Sequence, residues 1–321
     1  LCPVLFSGCG HRPVPGEKIT LWATGDSRKV PPRAPYQPAN HHWRADSSTV
    51  SIASAGNEWV AFQLVLRSRE VQPGVSVSVG GLESPGGDRV DEDNIRLYRE
   101  HYVTVTTPTD RHGSTGTGEY PDPLLPFFDP YRDEPRPVAA PFTLPENRNT
   151  VIWVDIYIPP DTPPAAYRGE ILVAAEGKPL ARLDCICRVW NFALPRKPGL
   201  LVFFDLYAYR WKKGEGLPFS LNEETWQVLK EYEIMAHEHG FSNGHWGLMP
   251  DNIGSTEGVD WSDYDRFLGQ VLDGSLFADG EPPACWELPF PENWDPGDEI
   301  LKKYCREVVR HWDEKGWDLD S

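Results

Sequence analysis

Residues 150–159 read TVIWVDIYIP. Apolar Ile152, Val154, Ile156 and Ile158 alternate with Trp153, Asp155 and Tyr157. Successive side chains of an extended chain point to opposite sides, so a period of two with one apolar set marks a strand with a buried face. The same pattern extends outward in both directions. VSIASAGNEWVAFQLVLRS (50–68) holds two β-rich runs around Ala55-Gly56-Asn57-Glu58, read as a hairpin turn. Val75, Val77 and Val79 alternate with Ser, and NIRLYREHYVTVTT (94–107) is a further alternating run. YRGEILVAA (167–175) and PLARLDCICRVWNF (179–192) follow turn-rich DTPP and EGK. Many short strands at this spacing predict an antiparallel sandwich over residues 17–195. Residues 107–149, dense in Pro, Gly and acids, read as one long loop whose aromatic PDPLLPFFDPY lies against a surface.

The period changes after Leu194-Pro195-Arg196-Lys197-Pro198. LLVFFDLYAY (200–209) is a continuous apolar run, as in a strand buried on both faces of a parallel sheet. Ser220-Leu-Asn-Glu223 reads as a capping box opening a helix that runs to His239 and stops at Gly240. FSNGHWGL (241–248) reads as a second strand and its loop, WSDYDRFLGQVL (261–272) as a short helix, and PACWELPF (283–290) as a third strand. Asp295-Pro296 opens a last helix, striped by Ile300, Leu301, Tyr304, Cys305, Val308, Val309 and Trp312 and ended by Gly316. The alternation βαβαβα predicts a parallel sheet with helices outside. The expected fold class is multidomain, β plus α/β: an antiparallel sandwich, then residues 196–321 as the first three βα units of an incomplete (β/α)8 barrel.

The chain has 321 residues, a net charge of −17 and 38 aromatic residues (13 Trp, 12 Tyr, 13 Phe). Phosphate neutralisation needs clustered Lys and Arg, and no basic stripe is present, so no nucleic-acid partner is expected. No run reaches the ~20 apolar residues of a spanning helix. Residues 1–16 read as a signal remnant and linker, in which Phe6-Ser7-Gly8-Cys9 resembles a bacterial lipobox with Cys9 as the lipidated residue. That places the protein outside the cytoplasm: secreted, periplasmic or lipid-anchored at a bacterial cell surface. Cys185-Ile-Cys187 puts two thiols on one face of a strand, one residue short of the CxxC of redox and zinc sites, and reads as buried thiols.

The adjacent acids Asp313-Glu314, flanked by Trp312 and Trp317, invite reading as a sugar-cleaving pair. They follow the apolar stripe by one and two positions and so turn away from it, in the last helical turn, where negative charge opposes the helix dipole. They read as solvated charges. A barrel presents its chemistry at the C-terminal ends of strands. The candidates there are Asp205 and Tyr207 after the first strand, Asn243, His245 and Trp246 after the second, and Trp286 and Glu287 on the third. Aromatic faces stack on pyranose rings while acids bind hydroxyls. His237 and His239 do not share a helical face, so a metal site with His245 is not expected. No hydrolase elbow, P-loop or dinucleotide fingerprint occurs, and no cofactor is expected.

NEWVAFQLVLRS, IRLYREHYVTVTTPT, GEYPDPLLPF, VIWVDIYIPPDTPPAAYRGEI, VWNFALP, WSDYDRFL and REVVRHWDEKGW together resemble glycoside hydrolase family 123. The resemblance implies a β-sandwich followed by a (β/α)8 barrel. It also implies a retaining β-N-acetylgalactosaminidase in which the substrate's own 2-acetamido group is the nucleophile. An adjacent Asp-Glu pair serves that reaction, on a barrel strand expected after Ser321, and no residue of this sequence takes its role; the chain by itself is expected to be inactive. The implied partner is an N-acetylhexosamine-containing glycan. The alternative is a secreted, non-catalytic carbohydrate-binding or surface protein whose sandwich binds the glycan.

Overall fold

The computed structural model describes residues 19–107, 116–197, 199–206, 213–217, 221–244, 249–253, 258–287 and 299–317. The chain divides into two compact units, Leu1–Leu194 and Pro195–Ser321.

The first unit is made of strands. In chain order they are β1 (Ile19–Gly25), β2 (Trp43–Arg44), β3 (Thr49–Gly56), β4 (Glu58–Ser68) and β5 (Gln72–Val79), then the short β6 (Leu82–Glu83) and β7 (Arg89–Val90). β8 (Ile95–Val105), β9 (Gly118–Pro126), β10 (Phe128–Asp129), β11 (Glu134–Pro135) and β12 (Phe142–Leu144) follow, and β13 (Asn149–Ile158), β14 (Ala166–Ala175) and β15 (Lys178–Ala193) complete the unit. One sheet has the order β1-β4-β13-β8-β9, and the other β12-β5-β14-β15-β3-β2. The alternating side chains meet in one core: Phe62, Leu64 and Leu66 of β4 and Ile152, Val154 and Ile156 of β13 with Val75, Ile171, Val173, Leu183, Cys185 and Cys187 of the second sheet. The apolar set of residues 150–159 is therefore the inner face of a central strand, as its period requires.

Three features differ from the sequence reading. The AGNE turn is no hairpin: β3 pairs with β2 and β15, whereas β4 pairs with β1 and β13, so the turn arches from one sheet to the other. Asn57 adopts a left-handed φ of 56°, its Oδ1 accepts from Tyr157 at 2.8 Å and its amide donates to the Leu194 carbonyl at 3.1 Å. Glu58 closes the arch by accepting from the Ala55 N–H (2.6 Å) and the Ser54 hydroxyl (3.0 Å). The second sheet is not wholly antiparallel, since β15 runs parallel to β3. And residues 107–149 are not one long loop, because β9 to β12 lie within them. β9 is an edge strand, the position where Pro121, Pro123 and Pro126 can lack an N–H without breaking a ladder.

The second unit opens with β16 (Phe203–Asp205), which pairs in parallel with β17 (Ser242–Gly244). Between them lies α1 (Glu223–Glu238); α2 (Ser262–Phe267), α3 (Gly269–Leu272) and α4 (Glu299–Lys315) follow. Parallel neighbours joined by a helix form the βαβ unit that the change of period predicts. Asn222, rather than Ser220, stands at the N-cap of α1 and accepts from the Thr225 N–H at 3.0 Å. His239 caps the other end, and Gly240 follows at φ 74°. The helix predicted over 261–272 is two short ones, with Tyr264, Phe267, Leu268 and Val271 buried as the spacing requires. On α4 the buried stripe is narrower than predicted: Leu301, Tyr304, Val308 and Trp312 are inside, while Ile300 and Val309 are 58% and 55% exposed. Residues 283–287 carry no strand, in keeping with Pro282 and Pro283 at the start of that segment. Asp295-Pro296 lies outside the described residues.

Candidate functional site

The strand ends of the second unit are built from the β16–β17 pair. Phe203, Phe204 and Asp205 stand opposite Ser242, Asn243 and Gly244. Asp205 closes β16 and so lies at its C-terminal end, where the sequence placed it. Asn243 is buried, and its amide donates to the Tyr232 carbonyl (3.2 Å) and to Glu233 Oε1 (3.1 Å). Its side chain therefore ties β17 to α1. Glu233, itself buried, was not singled out from sequence; the signal was an acid standing on the buried face of α1 with Trp226, Leu229 and Ala236.

The Cys285 N–H donates to Ser242 Oγ at 3.4 Å, which brings the irregular segment holding Trp286 and Glu287 beside β17. Trp286 is half-buried against the unit's core, and its indole donates to the Tyr264 hydroxyl at 3.3 Å. Burial raises the Tyr264 hydroxyl above the usual phenol range, with the Trp286 bond pulling the other way. Tyr264 is thus a neutral hydroxyl that fixes the edge of the Trp286 ring. Glu287 is half-buried with its Oε2 buried. Asp205 thus ends β16 and Asn243 lies on β17, while Trp286 and Glu287 follow the residue that bonds β17. Tyr207, His245, Trp246 and Cys9 lie outside the described residues.

Other polar groups have structural partners. Asp313 and Glu314 are exposed on α4, with Glu314 3.8 Å from Arg310, as the solvated-face reading requires. His237 stacks on Phe277 with centroids 3.9 Å apart and faces the Asp279 carboxylate at 3.0 Å, while His239 caps α1 through the Met235 carbonyl at 2.9 Å. His311 lies on Trp261 at 4.2 Å and beside Asp265 at 2.7 Å, which also meets Lys315 at 2.5 Å. Among the described residues no cluster of three or more His, Cys, Asp or Glu could hold a metal. Cys185 and Cys187 are buried free thiols; burial raises both, Cys187 to about 12, so neither is a nucleophile at neutral pH.

A two-sheet sandwich continued by a parallel β–α unit defines a multidomain β plus α/β protein. Residues 37–175 match the family model of the glycoside hydrolase 123 N-terminal domain. Over those residues the chain resembles the N-terminal domain of glycoside hydrolase family 123. The solved structure of a family 123 glycoside hydrolase from Clostridium perfringens, described for glycolipid glycan hydrolysis, covers 94% of this chain at a TM-score of 0.62 and 15% identity. This chain spans 57% of that one. AvmM, a macrocyclisation catalyst of alchivemycin A biosynthesis, covers 56% of this chain and is itself 92% covered, at 11% identity and a TM-score of 0.29. The N-terminal domain of PorA covers 54% and is itself 100% covered, at 8% identity and a TM-score of 0.23. Neither score supports a shared fold. No curated protein matches the chain.

Proposed function

We propose that this chain belongs to a glycoside hydrolase acting on N-acetylhexosaminyl glycans, of the retaining β-N-acetylgalactosaminidase type. The observation that carries this reading is the match of residues 37–175 to the glycoside hydrolase 123 N-terminal domain. In the proposed reaction the carbonyl oxygen of the substrate's 2-acetamido group attacks the anomeric carbon as the glycosidic C–O bond breaks. A carboxylic acid gives its proton to the leaving oxygen. An adjacent carboxylate holds the acetamido N–H, and water then opens the cyclic intermediate with retention, the acid having become a base. Substrate-assisted hydrolases of this kind depart from the two-carboxylate scheme. Asp313 and Glu314 do not serve, because they point into solvent from a helix.

The contribution assigned to this chain is positional. Trp286 offers a ring held by Tyr264, Glu287 follows it in the chain, and Asp205 ends β16. They are proposed to bind sugar hydroxyls and a pyranose face, with Tyr207, His245 and Trp246 as further contacts. The resemblance of Phe6–Cys9 to a lipobox supports a place outside the cytoplasm, with the glycan as partner.

The test compares turnover of 4-nitrophenyl N-acetyl-β-galactosaminide and 4-nitrophenyl β-galactoside by the gene product that holds this chain. A 2-hydroxyl cannot replace the amide nucleophile, so the acetamido substrate is expected to react faster by about a hundredfold or more. Equal rates, or no hydrolysis of either, would overturn the proposal.

A further inference from the structure

On its outer surface the second sheet of the sandwich holds two guanidinium groups that form no ion pair within 4 Å among the described residues. Arg188 of β15 stands opposite Ala166 of β14 and Ala53 of β3, and Arg168 of β14 stands opposite Ile186 of β15. The two arginines are diagonal neighbours, both exposed, over a floor of small residues that includes Ser51 and Ala53. Diagonal pairs in a sheet lie about 7–8 Å apart at the Cα atoms, within reach of one ligand for side chains of this length. On this face Glu83 stands directly opposite Arg168, and Asp184 stands opposite Glu170, which Arg182 binds.

The same strand then presents aromatic rings. β14 pairs with β15 only as far as Arg188, and the pairing of β15 with β3 slips between Val189 and Ala193. Trp190 and Phe192 fall in that stretch, 46% and 60% exposed. The Arg188 guanidinium lies 5.8 Å from the Trp190 ring centroid, so ring and charge occupy one surface. Arg168 faces Glu83 across the strands, which leaves Arg188 as the charge presented beside the two exposed aromatics. Large exposed apolar groups rimmed by polar ones mark recognition surfaces, and a guanidinium presents a planar fork that matches a carboxylate or sulfate.

We propose that Arg168, Arg188, Trp190 and Phe192 form a binding site for a short acidic oligosaccharide, one sugar bearing a carboxylate or a sulfate. The anion takes the guanidinium groups while a pyranose face stacks on Trp190 or Phe192. Charge decides the occupant. The chain carries −17, so a second copy or a long polyanion would meet net repulsion over its whole length. A small ligand with one negative group meets only the local field, because charges beyond about 8 Å are screened at physiological salt. The site is independent of the hydrolase reading, since the test reads binding and not turnover.

The test is calorimetric titration of the intact chain with 3′-sialyllactose, with 6-sulfo-N-acetyllactosamine and with neutral N-acetyllactosamine. At least one acidic sugar is expected to bind about tenfold or more tighter than the neutral one, with affinity falling as salt rises. Comparing the carboxylate and sulfate ligands separates the two anions. Arg188→Gln should remove the acidic preference, and Trp190→Ala should weaken acidic and neutral sugars alike, both variants keeping the parent melting temperature because the sites are exposed. The proposal is overturned if acidic and neutral sugars bind equally, if neither acidic sugar binds, if either variant binds as the parent does, or if sedimentation shows that Trp190→Ala dissociates a dimer.

Discussion

Glu100 on β8 is 6% exposed, and burial pushes its carboxyl up to about 7, opposed by the positive charge of Lys29. Lys29 is itself held by the Pro121 carbonyl (3.1 Å) and Asp122 (2.8 Å), so it does not bond the acid. A folded-state pKa above the unfolded value near 4.5 means that the native state keeps a proton the unfolded chain has lost. Stability from this group is therefore fully present below pH 4.5 and is lost as pH rises through about 7. Glu100→Gln should raise stability at pH 8 by about 1–3 kcal/mol and flatten the pH dependence between 5 and 7, as read from urea midpoints. An unchanged midpoint at pH 8 would show that the carboxylate is solvated. The alternation of NIRLYREHYV did not mark this acid. β8 lies between β13 and β9, and such long-range pairing is not written in the local pattern.

At the scale of elements, α4 shows where a helical stripe ends. Leu301 is buried, and its neighbour Ile300 is 58% exposed. Both were legible as apolar residues at helical spacing, but a stripe read from sequence cannot tell its centre from its edges. Leu301→Ala should cost about 2–5 kcal/mol, and Ile300→Ala less than about 0.5 kcal/mol, measured by denaturant unfolding. Similar costs would mean that α4 packs in another rotation. The strands repeat the lesson. Period two identified β4, β8, β13, β14 and β15, since one buried face dictates it. The AGNE arch was misread because turn chemistry fixes the bend and not the sheet that each arm joins. β9 was missed because its three prolines argue against a central strand, and β9 is an edge. The segment at 283–287 was read as a strand from its apolar residues, which instead serve the helical core through Trp286.

At the scale of the whole molecule, the change of period near residue 195 coincides with the division into two compact units. The sandwich was legible because its core is built from local alternation repeated many times. Of the candidate site residues, Asn243 serves a buried bond to Glu233 that only the tertiary fold creates. The acidic pair on α4 faces solvent, as its place beside the stripe requires. The most direct measurement of the central claim is the anomeric configuration of the first sugar released from 4-nitrophenyl N-acetyl-β-galactosaminide by the gene product, followed by proton NMR. An amide-assisted hydrolase releases the β-anomer first, with the α-anomer growing in by mutarotation. Release of the α-anomer first would contradict the account, because direct attack by water inverts the carbon.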